Sequence, residues 1–132
     1  MSEGHEERFG LARRIACFAA VAAWGCVAVF FGATIVHGGS MRPAIVPGDV
    51  VIYRRSAEGV REGDIILFAH PEWPRGVVHR VVSFQPDGSA CTRGDANAVA
   101  DRDPVPRLSI RGVEAFVLPS GKAVAAIENA LR

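Results

Sequence analysis

Apolar and polar positions are unevenly distributed along this chain. From Ile15 to Val36 the run IACFAAVAAWGCVAVFFGATIV carries no charged residue. Wound as a helix, about 22 residues rise roughly 33 Å, the thickness of a bilayer core, so the block predicts a transmembrane helix over 15–36. A cleaved secretory signal is the competing reading, because Arg13 and Arg14 precede the block and small residues such as Ala20, Ala22 and Ala23 lie within it. The apolar region of such a signal is only about 7 to 15 residues long, and here the candidate cleavage sites fall inside the apolar run. A permanent anchor fits better. Arg8, Arg13 and Arg14 stand before the helix, whereas only Arg42 follows closely, ahead of Arg54 and Arg55. That bias predicts a cytoplasmic tail over 1–14 and an extracytoplasmic domain over 37–132, in a single-pass protein of the cell membrane.

Beyond the block the pattern shortens. DVVIYR from Asp49, DIILF from Asp64, VVHRVVSF from Val77 and VEAFVL from Val113 are brief runs rich in β-branched and aromatic residues. Pro47-Gly48, Glu62-Gly63, Pro71 with Pro74, Pro86-Asp87-Gly88 and the Pro104 to Pro106 stretch punctuate them. The rhythm predicts a small, mainly β domain, antiparallel or barrel-like. In Gly121 to Arg132, the residues Val124, Ile127 and Leu131 recur at helical spacing, which predicts a short amphipathic C-terminal helix packed on the β domain.

Composition narrows the function. A chain of 132 residues accommodates one compact domain and an appendage. With a formal net charge of +1 and arginines scattered over both ends, it lacks the basic face that a nucleic-acid partner requires. Cys17 and Cys26 lie in the apolar block, roughly 13 Å apart along a helix and too far to bridge. Cys91 then stands alone as a small apolar residue, and no Cys/His cluster suggests a metal.

Three segments carry candidate chemistry. In Gly38-Gly39-Ser40-Met41-Arg42-Pro43, glycines and a proline constrain the backbone around a serine. Alone this reads as a turn. A serine hydroxyl attacks a carbonyl only when a base takes its proton, and the sole lysine, Lys122, lies in the C-terminal stretch. The histidines are His5, His37, His70 and His79. His79 sits inside an apolar strand, where an imidazole must find a hydrogen-bond partner; backbone could supply it in a purely structural role. Thr92 to Asp101 then offers two carboxylates, Asp95 and Asp101, either able to orient an imidazole, although Asp, Asn and Gly in a run also mark a solvated turn. The order Ser, His, Asp just beyond an anchor joins the three.

With these residues in view, the chain resembles the type I signal peptidases, and within them the endoplasmic-reticulum-like branch that also occurs in archaea. Ser40-Met41-Arg42-Pro43 resembles the family's Ser-Met-x-Pro box, and Gly63 to Phe68 its Gly-Asp-x-hydrophobic-Phe strand. Val78-His79-Arg80-Val81 resembles the His-Arg box that replaces a lysine-bearing box, and Thr92 to Asn97 resembles the Thr-Lys-Gly-Asp-Asn-Asn box. Arg93 departs from that pattern while keeping the charge, and Ala96 departs by removing a side-chain hydrogen bond. The resemblance implies Ser40 as nucleophile, His79 as general base and Asp101 as the third member, with Asp95 supporting the catalytic loop. Gly38 is often a serine in the bacterial branch, so the backbone N–H of Ser40 is expected to carry more of the oxyanion binding. Met41 and Ile45 are expected to line shallow substrate pockets. The implied substrates are secretory preproteins with Ala-x-Ala-like cleavage sites, met at the bilayer, with the translocation machinery as a further candidate partner and no cofactor. Two other readings are a non-catalytic anchored β domain and a peptidase specialised for one class of exported protein.

Overall fold

The computed structural model describes residues 3–121 together with 123, 126 and 130. It divides at Phe30 into two compact units, Met1–Phe30 and Phe31–Arg132. In the first, helix α1 runs from Glu3 to Phe30. Its segment Gly10–Phe30 is long and apolar enough to cross a membrane. Phe18, Val21, Trp24 and Val29 are all exposed on it. An apolar helix surface of such a length is matched to hydrocarbon rather than to water.

The helix ends earlier than the sequence pattern predicts. Instead of continuing to Val36, the chain turns at Phe30 into strand β1, Phe31–Ile35, which pairs antiparallel with β2, Val50–Arg54. A charge-free apolar run hides this boundary, because periodicity cannot separate a buried strand from a buried helix. The local chemistry favours the strand: Gly32 weakens a helix, Thr34, Ile35 and Val36 are β-branched, and Gly32 faces Tyr53 in the register. A Cβ at position 32 would overlap the Tyr53 ring, so the glycine also makes room for it.

The second unit is one antiparallel sheet. Strands β3 (Ile65–His70), β4 (Trp73–Phe84), β5 (Ala90–Arg93) and β6 (Ile110–Leu118) join the first two in the order β1-β2-β6-β3-β4-β5. The domain is thus mainly β, with β1 and β5 at the two edges of an open sheet. Two apolar clusters hold it together. Ile66, Phe68, Val81, Ala90, Val105 and Val113 form one, and Val36, Met41, Ile45, Val51 and Ile65 form the other. In the long β1–β2 connection, Asp49 is buried yet fully engaged: its Oδ2 accepts from Val46 N–H and its Oδ1 from Gly121 N–H, each at 2.9 Å. That carboxylate therefore braces the connection against the end of the sheet. The C-terminal helix expected from Val124, Ile127 and Leu131 falls on residues outside those described.

Candidate active site

Ser40 lies on the β1–β2 connection. Short backbone bonds, Arg42 N–H to Gly39 O at 3.1 Å and Ile45 N–H to Met41 O at 2.9 Å, curl the chain around it. Met41 and Ile45, each 1 % exposed, point from this curl into the second apolar cluster. They do not line the cleft, which corrects the expectation that they form substrate pockets. An apolar residue beside a nucleophile looks the same in sequence whether it meets substrate or core, and here burial decides. These side chains anchor the segment that carries Ser40.

His79 comes from β4, opposite Ile66 of β3, and is 8 % exposed. Phe68 meets its ring edge to face, with centroids 6.3 Å apart. The imidazole reaches out with both nitrogens. Nε2 stands 3.0 Å from Ser40 Oγ, and Nδ1 stands 2.6 Å from Asp101 Oδ2. A carboxylate only accepts, so Nδ1 carries the proton and Nε2 is left to accept from the serine hydroxyl. Geometry of this kind can withdraw a proton from Oγ and return it to a leaving group.

Asp95 is engaged elsewhere. Its two oxygens take a bidentate pair of bonds from Arg80, at 2.8 and 2.7 Å, while Arg80 also donates to the Gly63 carbonyl at 2.8 Å. The Arg80 hydrogen bonds hold the Asp95 carboxyl below the usual carboxylate range, against the opposing effect of partial burial. The same pairing raises the Arg80 guanidinium further. Of Asp95 and Asp101, it is Asp101 that bonds the imidazole.

The loop after β5 also grips the nucleophile. Ala96 N–H donates to the Ser40 carbonyl at 2.8 Å, and Gly94 lies so close that a Cβ there would come within 2.6 Å of that oxygen. The side-chain hydrogen bond missing at Ala96 is therefore not what positions Ser40; the main chain is. His70 takes no part in this arrangement, since its Nδ1 accepts from Glu72 N–H at 3.2 Å. Sequence reasoning overlooked Thr92, whose hydroxyl donates to Asp101 Oδ2 at 2.7 Å, and the contact of His37 with Arg75 at 2.7 Å. Thr92 heads the box over Thr92 to Asn97, a position that marks the segment without saying what the hydroxyl holds.

Ser40 and His79 open onto a cleft of about 840 Å³. Thr34 to Gly39 line one side, Trp73 to Val78 the other, and Asp101 also borders it. The family model for signal peptidase, peptidase S26, matches residues 9–103 of this chain. The chain belongs to that family. The matched stretch takes in the apolar part of α1 together with Ser40, His79, Asp95 and Asp101. No curated protein matches the chain. Membership makes the protein a hydrolase, a signal peptidase that removes N-terminal signal peptides from exported preproteins, and its apolar helix fits a membrane-bound enzyme.

Proposed function

We propose that this signal peptidase is a serine endopeptidase of the endoplasmic-reticulum-like branch, with Ser40 as nucleophile, His79 as general base and Asp101 as its orienting partner. The observation that carries the reading is the continuous chain from Ser40 Oγ to His79 Nε2 at 3.0 Å and from His79 Nδ1 to Asp101 Oδ2 at 2.6 Å. Ser40 attacks the scissile carbonyl as His79 takes its proton, and the imidazolium is stabilised by the Asp101 carboxylate. His79 then protonates the leaving amine, and water, activated by the same imidazole, releases the acyl group. Each proton has a named carrier, so the cycle closes without a cofactor. The Ser40 N–H is the donor nearest in sequence to the developing oxyanion.

The N-terminal side of α1 faces the cytoplasm, its segment Gly10–Phe30 crosses the cell membrane, and the unit from Phe31 onward works on the outer side, beside the translocation machinery. A substrate whose own apolar segment lies in the same bilayer meets a tethered enzyme at raised effective concentration. Ile35, Phe68 and Val78 line the cleft and give it apolar walls. Such walls accept a small side chain, exclude a large one by overlap, and reject a charged one because no partner replaces its lost water.

The test is a set of purified preproteins incubated with the full-length enzyme in detergent, with cleavage sites read by mass spectrometry. Cuts are expected after Ala-x-Ala-like sequences. Replacing the residue before the cut by leucine or lysine blocks processing, and serine or glycine there is tolerated. Equal cleavage after a large or basic residue contradicts this specificity.

A further inference from the structure

We propose that Thr92 is a positioning residue for this hydrolysis, its hydroxyl holding the Asp101 carboxylate in place as the partner of His79. The proposal rests on the triad reading above. Thr92 lies on β5, paired with Val81 of the neighbouring strand β4, which also carries His79. It is 0 % exposed, and a hydroxyl removed from water must find a partner within the protein. Its partner is Asp101 Oδ2, at 2.7 Å. The same oxygen receives His79 Nδ1 at 2.6 Å, so one carboxylate oxygen takes both donors, as its lone pairs allow.

The grip on Asp101 is double. Besides the side-chain bond, the Asp101 N–H donates to the Thr92 carbonyl at 2.8 Å. Thr92 thus fixes both the main chain and the carboxylate of a residue that stands outside the strands, in a loop whose next bridge to the sheet is Val105 with Ala90. The Asp101 side chain keeps 25 % of its surface exposed, so water competes for its oxygens. Without the hydroxyl, the carboxylate is free to turn toward solvent and leave His79 without a fixed tautomer. Thr92 is buried behind Asp101 rather than among the residues that line the cleft, so its effect passes through Asp101.

The experiment compares Thr92→Val, which keeps the shape and removes the donor, with Thr92→Ser, which keeps the donor and removes the methyl, in the full-length enzyme in detergent. For Thr92→Val the expectation is a kcat lower by about 10- to 100-fold, the scale of one hydrogen bond to a charged group, with KM little changed. Thr92→Ser is expected near the wild-type rate. In proton spectra, the low-field signal of His79 Nδ1–H, present in the wild type and in Thr92→Ser, is expected to broaden or vanish in Thr92→Val. Should Thr92→Val fail to fold, Thr92→Ala against Thr92→Ser isolates the same hydroxyl. Wild-type kcat and an unaltered low-field signal in the variants lacking the hydroxyl would overturn the proposal, as would an equal loss in Thr92→Ser. Asp101→Asn separates the two layers: if it is inactive while Thr92→Val is normal, the positioning role alone fails, and if it keeps full turnover, the triad reading fails with it.

Discussion

Asp95 and Asp101 share one loop and one chemistry, and their partners divide them. Asp95 is bound by a guanidinium, which holds its carboxyl below the ordinary range. A carboxylate whose folded value is depressed stabilises the protein at pH above the unfolded value, about 3.9, and that stabilisation is lost as pH falls through the folded value. Asp95→Asn is therefore expected to lose about 1 to 2 kcal/mol at neutral pH, less than a fully buried pair because the Arg80 side chain is 35 % exposed. The variant should also show a shallower loss of stability between about pH 5 and the acid region. Denaturant titrations of both proteins at pH 7 and near pH 3 check this, and equal stability differences at the two values would contradict it. A run of Asp, Asn and Gly reads the same for a structural turn and for a catalytic loop, so the residues alone left the two aspartates open and only the family resemblance pointed to Asp101.

Among the elements, the loop between β5 and the 3-10 turn at Arg107–Ser109 does the most to assemble the site. It presents Asp101 to His79 and Ala96 N–H to the Ser40 carbonyl, so two separate chain segments are registered against each other through it. Gly94 is where this loop comes closest. An alanine Cβ there would meet the main-chain oxygen and Cβ of Ser40, at 2.6 and 2.9 Å, as well as Asn97 Nδ2 at 2.9 Å, and the Ser40 oxygen belongs to backbone that cannot swing aside. Gly94→Ala is expected to destabilise the fold by about 1 to 3 kcal/mol, the usual cost of overpacking, and to reduce kcat in the molecules that remain folded. Melting curves measured beside turnover test both halves, and an unchanged kcat in a folded variant would show that the close approach does not govern the nucleophile. The element that sequence misread is the end of α1. Gly32 and the β-branched Thr34 to Val36 weaken the helix there, and β2 offers Phe31–Ile35 a partner five residues long. Local preference and tertiary pairing together set that boundary.

At the scale of the whole molecule, much was legible because the signals were of long range in sequence and strong in chemistry. The apolar run and the punctuated strands pointed to an anchored, β-rich chain, and the boxes around Ser40, Gly63, His79 and Thr92 carried the resemblance to the signal peptidases. Illegible were the matters decided by packing: Met41 and Ile45 turn into the core instead of the cleft, and the hydroxyl of Thr92, at the head of its box, turns to Asp101. The central claim is that Ser40 and His79 act as a unit in this signal peptidase. Groups that act as a unit lose their effect together, so removing both costs little more than removing either. The most direct measurement is turnover of one preprotein by Ser40→Ala, His79→Ala, the double variant and His70→Ala, each shown to be folded by its melting curve. No cleavage above background is expected in the first three, alike within error, and near wild-type turnover in His70→Ala. Substantial turnover by folded His79→Ala would contradict the central claim.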